Sequence, residues 1–240
     1  MKISVIIPMY NESKIIADTA KTLSAYMGEN FDDYEIIFSD DGSTDHCADI
    51  VNGLGFTNVR AIRYEVNQGK GCAVRSGMLA ADGDVRIFTD ADLAYGTEVI
   101  GSAVSVFHEQ NGVDIVIGSR NIADDGYDGY TLIRKIMSKT YIKVLCTVGG
   151  FKLSDSQCGF KAFRGDTADA VFGKCDVDGF AFDFEVILRA GQRNCKIAEM
   201  PVKIINHRES SIRPVSDAIK MLKDLRKIKK QIKKESREKT

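Results

Sequence analysis

The chain reads as an α/β protein with a mostly parallel central sheet covered by helices on both faces. Three observations predict this. Apolar runs of strand length alternate with segments of helical periodicity as far as about residue 120. The runs are continuous rather than alternating, as strands buried on both faces require. Polar clusters follow the strands directly: Asn11/Glu12, Asp40/Asp41, residues 67–71, Asp90/Asp92 and Ser119/Arg120. In a parallel sheet such clusters share one crevice at the carboxyl ends of the strands.

Residues 3–7 form the first strand, ended by Pro8. Asn11, Glu12 and Ser13 offer caps for a helix with Ile15, Ile16, Thr19, Leu23, Tyr26 and Met27 on one face. Residues 35–39 are the second strand, followed at once by Asp40-Asp41-Gly42-Ser43-Thr44-Asp45. Ala48, Ile50, Val51 and Leu54 mark a short helix, and residues 59–63 the third strand. The turn Asn67-Gln68-Gly69-Lys70-Gly71 opens a helix with Ala73, Val74, Gly77, Met78 and Ala81. Residues 85–89 are the fourth strand. Val99, Ala103, Val106 and Phe107 lie on another helix, and residues 114–118 form another strand. Beyond Arg120 the pattern changes. Residues 122–130 are an acidic, glycine-bearing loop, read as a lid. Ile133, Ile136, Met137, Tyr141, Val144, Leu145 and Val148 make an amphipathic helix. Residues 155–163 are a polar-aromatic stretch, 182–190 a helix with acids at its start, and 196–205, interrupted by Pro201, an edge strand. A helix from about Val215 closes the chain.

With 240 residues, 44% hydrophobic and 28% charged, the composition is that of a globular protein with a sizeable core. The net charge of −1 hides an asymmetry: residues 220–240 hold ten Lys/Arg against three acids, leaving the body acidic. Six irregularly spaced cysteines argue for reduced thiols in a cytosolic protein rather than a disulfide or zinc framework. No apolar run reaches bilayer length, and the first residues lack the pattern of a signal peptide.

The chemistry centres on Val85-Arg86-Ile87-Phe88-Thr89-Asp90-Ala91-Asp92. Two carboxylates at the end of an apolar strand are costly to bury without a positive partner. A divalent cation is the expected one, since Mg²⁺ takes one or two carboxylates and fills its remaining positions with phosphates and water. If the strand continues, alternation sends Asp90 and Asp92 to the same face. Alone, Asp-x-Asp also describes two solvated loop acids. No G-x-G-x-x-G follows the first strand, and residues 69–71 lack the pattern of a Walker loop, which excludes those two phosphate sites.

Val5-Ile6-Ile7-Pro8 with Tyr10-Asn11-Glu12, then Asp40–Asp45, residues 67–71 and Asp90-Ala91-Asp92, together resemble family 2 glycosyltransferases of the GT-A fold over residues 3–120. Gly118-Ser119-Arg120, the run Asp155-Ser156-Gln157-Cys158-Gly159-Phe160-Lys161, and Phe182-Asp183-Phe184-Glu185 resemble the polyprenyl-phosphate (dolichyl-phosphate) glucosyl- and mannosyltransferase branch, the glucosyl type more closely. The resemblance implies roles by position. Pro8, Tyr10, Asn11, Glu12, Asp40 and Asp41 line the nucleoside pocket with Lys70 beside it. Asp90, Ala91 and Asp92 meet the diphosphate, with Asp90 and Asp92 holding Mg²⁺ or Mn²⁺. Arg120, Arg134 and Lys161 receive the acceptor phosphate. Asp155, Gln157, Asp183 and Glu185 border the donor sugar. The branch usually has Gly-Ser-Lys where this chain has His207-Arg208-Glu209-Ser210-Ser211, so Arg208 or Arg213 substitutes in contacting the diphosphate. Each has a plainer reading: Arg134 as a surface residue, Asp183 and Glu185 as favourable acids at a helix N-terminus, Asp45 as a cap.

The resulting expectation is an inverting, metal-dependent hexose transfer from a UDP- or GDP-sugar to a polyprenyl phosphate, at the cytoplasmic membrane face. Transfer to a saccharide or protein hydroxyl, or idle nucleotide-sugar binding, are the alternatives. Ile219, Leu222, Leu225, Ile228 and Ile232 recur among lysines, so the tail reads either as an amphipathic helix on anionic lipid or as a helix packed on the body by one stripe. The division expected is a catalytic domain over 1–213 and this helix over 214–240. No base-reading motif accompanies the tail, which disfavours nucleic acid.

Overall fold

A computed structural model of the protein describes residues 1–127, 132–206, 224–225, 227–232 and 234–235, with backbone only at 132–138 and 141. In chain order the elements are β1 (Ile3–Met9), α1 (Ile16–Asn30), β2 (Tyr34–Asp40), α2 (Cys47–Gly53), β3 (Val59–Arg63), α3 (Lys70–Ala80) and β4 (Val85–Phe88). There follow α4 (Glu98–Glu109), β5 (Ile115–Ser119), α5 (Leu132–Gly149), β6 (Lys161–Arg164), α6 (Gly165–Phe172), α7 (Phe182–Gln192) and β7 (Ile197–Pro201). The strands make one sheet in the order β3-β2-β1-β4-β6-β5-β7. All are parallel except β6, which runs antiparallel between β4 and β5.

The continuous apolar runs follow from burial on both faces. Val5, Ile7, Ile36, Phe38 and Ile87 point to one core, under α1, α2 and α4. Their neighbours Ile6, Ile37 and Phe88 point to the other, under α3, α6 and α7. Each such side chain stabilises the fold by roughly 1.5–3 kcal/mol relative to exposure. Pro8 sits in β1 without breaking the sheet because β4 ends opposite Ile6, leaving Pro8 paired only with Ser39 of β2.

A smaller core joins Leu145 of α5, Ala181 and Phe184 to Leu225 and Ile228 of the tail. The tail is also held by Arg189–Glu235 (3.0 Å), Gln231–Asp176 (2.7 Å) and Lys229 on the Val148 carbonyl. The described part of its apolar stripe is thus turned to the body, and Lys227, Lys230 and Lys234 face outward. Residues 207–223, where the closing helix was expected to begin, lie outside the described ones. Among the described residues no helix is long and apolar enough to cross a membrane.

Three local expectations are corrected. β4 stops at Phe88, so Asp90 and Asp92 stand in the turn after it, and strand alternation does not orient them. Helix α1 starts at Ile16 with no side-chain cap; Asn11, in the left-handed region at φ 55°, instead accepts from the Thr44 N–H (2.9 Å) and donates its own N–H to Ser43 Oγ (2.9 Å). It stitches the loop after β1 to the loop after β2. The polar-aromatic stretch ends in a strand, β6, too short and too charged to show as an apolar run. Its Lys161 is tolerated in mid-sheet only because a carboxylate meets it.

Candidate active site

The loops after β1, β2, β4 and β5 and the loop entering antiparallel β6 open at one edge of the sheet, so the topology gathers the predicted residues there. At the end of β2, Asp40 is buried. Its Oδ1 accepts the Ser43 N–H (2.9 Å), while among the described residues Oδ2 has no hydrogen bond and lies 3.7 Å from Arg63 Nε. The next residue, Asp41, acts differently. Its two oxygens accept the N–H groups of Gln68 and Gly69, each at 2.8 Å. That pins the glycine turn. Gly69 has φ 116°, and a Cβ there would lie 2.5 Å from the Asp178 carbonyl oxygen, so the turn closes only with glycine.

The turn delivers Lys70, the first residue of α3, to Asp90, with Nζ 2.5 Å from Oδ1. Asp92 Oδ1 accepts the Ala94 N–H at 3.1 Å. Between the acids, Ala91 is buried in the core and its carbonyl accepts the Thr19 hydroxyl at 2.7 Å, which anchors the turn. Behind Asp90 stands Gly159, where a Cβ would meet Asp90 Oδ2 at 2.2 Å.

Deeper in, Lys161 is fully buried. Its Nζ donates to Asp183 Oδ1 (2.5 Å) and the Cys158 carbonyl (2.7 Å), 5.4 Å from the centre of the Phe88 ring. Burial pushes the Asp183 pKa up against the pull of Lys161 and Lys70. Burial works against the Lys70 charge, but Asp90, with Asp183 and Asp92 beyond it, holds its pKa above the ordinary lysine value. Asp90, Lys70, Asp183 and Lys161 therefore form a chain of alternating charge.

A second ion pair lies after β5. Arg120 grips Asp155 through Nε–Oδ2 (2.6 Å) and Nη2–Oδ1 (2.9 Å), with its backbone N–H also on Oδ2. Burial opposes the charge on Arg120, yet the bonded Asp155 carboxylate raises its pKa well above the ordinary arginine value. The guanidinium lies 5.3 Å from the centre of the Tyr127 ring. Glu199 of β7 accepts the N–H groups of Ser154 and Asp155 and so holds the loop from below.

Arg120 and Lys161, expected at the acceptor phosphate, are bonded to Asp155 and Asp183, expected at the donor sugar. Glu185 is not in the charge chain. It is buried on α7, accepts the N–H groups of Asp176 (3.0 Å) and Val177 (2.8 Å), and pairs with Arg189 at 2.9 Å. It holds the loop on which Gly69 and Gly71 close. Tyr10 is exposed at the rim, Pro8 is inside β1, and the Glu12 carbonyl accepts the N–H groups of Ile15 and Ile16 at the start of α1. The side chain of Arg134, all of Arg208 and Arg213, and residues 128–130 of the expected lid lie outside the described residues.

Several site features escaped sequence reasoning. Among the described residues, buried Thr89 Oγ1, Asn121 Oδ1, Ser156 Oγ and Gln157 Nε2 have no hydrogen-bond partner. All four lie after β4, after β5 or just before β6. Buried polar atoms seldom go unpaired, so their gathering at the crevice marks a place built for a polar ligand. Of these only Gln157 stood out in sequence. Two neighbouring carboxylates, Asp90 and Asp92, are oxygen donors of the kind that a hard ion such as Mg²⁺ or Mn²⁺ takes, with Lys70 standing on one of them.

The family model described as glycosyl transferase family 2 matches residues 4–172. A dolichyl-phosphate beta-glucosyltransferase of Dictyostelium discoideum is 32% identical over 243 residues, covering 95% of this chain and 73% of its own. One of Saccharomyces cerevisiae is 30% identical, covering 93% of this chain and 72% of its own. Among solved structures, glucosyl-3-phosphoglycerate synthase from Mycobacterium tuberculosis, in complex with Mn²⁺, uridine-diphosphate-glucose and phosphoglyceric acid, superposes with a TM-score of 0.72 at 18% identity. It covers 93% of this chain and 79% of that one. At that identity the likeness speaks for the fold alone, which is GT-A.

Proposed function

The chain belongs to glycosyl transferase family 2, and from that premise we propose that it moves a hexose, glucose first, from a nucleotide-diphosphate sugar to a polyprenyl (dolichyl-type) phosphate. The observation that carries this reading is the Asp90-Ala91-Asp92 turn, met by Lys70 at the mouth of a crevice rich in unpaired polar atoms. The acceptor class comes from the relatives, which are dolichyl-phosphate glucosyltransferases.

In this reading Asp40 Oδ2 accepts a hydrogen bond from the nucleoside, beside Asn11, Glu12 and the exposed Tyr10 ring. Asp90 and Asp92 would hold Mg²⁺ or Mn²⁺, which would supply neutralisation of the charge that builds on the departing diphosphate. Gln157 and Ser156 face the sugar, and the two ion pairs keep the loop before β6 and the start of α7 in register. Arg120 stays on Asp155 and keeps the acceptor end of the crevice in shape, while Arg134 and Arg208 remain candidate contacts to acceptor phosphate and diphosphate. A phosphate monoester with a second pKa of about 6 is already mostly anionic at neutral pH and needs no strong base. That suits this site, where Asp155 and Asp183 are both tied to cations. A hydroxyl acceptor would need one of them free.

The catalytic unit is taken as residues 1–213 and the basic helix as 214–240, of which Leu225 and Ile228 are packed on the body. Because Leu225 and Ile228 are turned to the body, contact with the membrane is through lysines and is electrostatic, about 1 kcal/mol per charge near anionic lipid. The enzyme is then peripheral, at the cytoplasmic face.

The test is transfer of radiolabel from UDP-glucose or GDP-mannose to short-chain polyprenyl phosphate with Mg²⁺ or Mn²⁺, reading label in the organic phase. Metal-dependent label from UDP-glucose is expected, and Asp92→Ala should reduce it to background. Label retained in Asp92→Ala would remove the metal assignment. Label appearing only on a hydroxyl acceptor would replace the lipid reading.

A further inference from the structure

Three observations converge on Lys70. Its ammonium lies 2.5 Å from Asp90 Oδ1, on one of the two carboxylates assigned to the metal. It is the first residue of α3, behind a turn whose glycines are wedged against the Val177 and Asp178 carbonyls and whose N–H groups are held by Asp41. Lys70 therefore reaches Asp90 from rigid backbone. Finally, the described residues hold no group of three or more His, Cys, Asp or Glu side chains able to bind an ion. Asp90 and Asp92 alone leave most of an octahedral shell to be filled by water and phosphate.

We propose that Lys70 is a resident counter-ion that competes with the divalent metal for Asp90, and that it yields the position only when a diphosphate enters to receive its ammonium. This rests on the assignment of Asp90 and Asp92 as metal ligands. Three carboxylates (Asp90, Asp92 and Asp183) face two ammoniums (Lys70 and Lys161) here, and Lys161 is committed to Asp183. A metal arriving alone on Asp90 and Asp92 must displace Lys70, and the remaining carboxylate that acts on its charge, Asp183, is already paired with Lys161. A metal arriving with a diphosphate brings the displaced ammonium its new partner. Lysine suits the exchange: it is a compact charge on a flexible stem, whereas arginine's fork would hold a carboxylate through two bonds. Metal and nucleotide must then strengthen each other's binding by one common factor.

Mn²⁺ binding, read from the electron paramagnetic resonance signal of free Mn²⁺, tests this without turnover, using UDP and, separately, GDP as the nucleotide probe. For the wild type, Mn²⁺ alone should bind weakly and the nucleotide should tighten it. Lys70→Met should bind Mn²⁺ alone roughly five- to tenfold more tightly, and the tightening by nucleotide should shrink. Lys70→Arg, which keeps a cation on Asp90, should bind Mn²⁺ alone no better than the wild type. Arg75→Met removes a charge from the same helix that is engaged by Asp178 instead, and should leave Mn²⁺ binding unchanged. Unchanged or weaker Mn²⁺ binding in Lys70→Met, tighter binding in Lys70→Arg, or an equal gain in Arg75→Met, would overturn the competition. Asp92→Asn separates the premise: if it binds Mn²⁺ with nucleotide as the wild type does, the metal assignment fails, whatever Lys70 does.

Discussion

At position 159 the fold accepts nothing beyond a hydrogen atom on the α-carbon, because the Asp90 carboxylate fills the space where a methyl would go. Gly159→Ala must push Asp90 aside by an ångström or so, and misplacements of that size in a reacting site cost on the order of 100-fold. Transfer activity of Gly159→Ala should fall by about that factor while its melting temperature stays near the wild type. A variant of full activity would mean that Asp90 is free to move. Asp45 shows a structural acid beside a functional one. Burial works to raise its pKa, but hydrogen bonds from Ser13 and Cys47 outweigh this and hold it below the ordinary aspartate value. A lowered pKa stabilises the fold above the unfolded value, and that gain is lost as pH falls through the folded value. Asp45→Ala should therefore be less stable than the wild type at neutral pH, and the gap should close in acid; a gap that widens there would reverse the assignment.

Helix α7 carries two acids that look alike in sequence, two residues apart, and they do unlike things. Asp183 turns into the crevice to Lys161; Glu185 turns away to Arg189 and to the loop N–H groups of Asp176 and Val177. Removing Glu185 leaves Arg189 with Glu235 but strips the Asp176 and Val177 N–H groups of their acceptor, at roughly 1–3 kcal/mol each. Glu185→Ala should lose about that much in urea unfolding, and a loss under about 1 kcal/mol would contradict the hub role. The difference between these acids was not legible in sequence, because spacing along a helix gives direction only once the helix's neighbours are known. Asp41 teaches the same lesson: adjacent to Asp40 and equally polar, it is occupied by the turn of Gln68 and Gly69. The parallel half of the sheet was legible, since Val5 to Ile7 and Ile36 to Phe38 must be buried on both faces. The strand β6 was not, since Lys161 and Arg164 bracket only two apolar residues and are held in place by partners distant in the chain.

For the molecule as a whole, the catalytic crevice is shared between a half built in chain order and a half completed out of order. Every predicted cluster before residue 120 comes from a strand whose helix follows at once, which is why its position could be read directly. The loop of Asp155 to Gly159 reaches the same edge only because β6 runs backwards between β4 and β5, a topological fact that no local pattern encodes. That inserted strand has a consequence for synthesis. β4 is complete at Phe88, yet its outer neighbour begins only at Lys161. While the intervening chain leaves the ribosome, β4 presents an unsatisfied backbone edge flanked by Ile87 and Phe88, the kind of edge that templates association. A fragment ending at residue 150 should accordingly form oligomers in light scattering at micromolar concentration, whereas one carried through residue 206 should not. A monomeric short fragment would mean that some other part of the nascent chain shields β4 until its late-arriving partner closes the sheet.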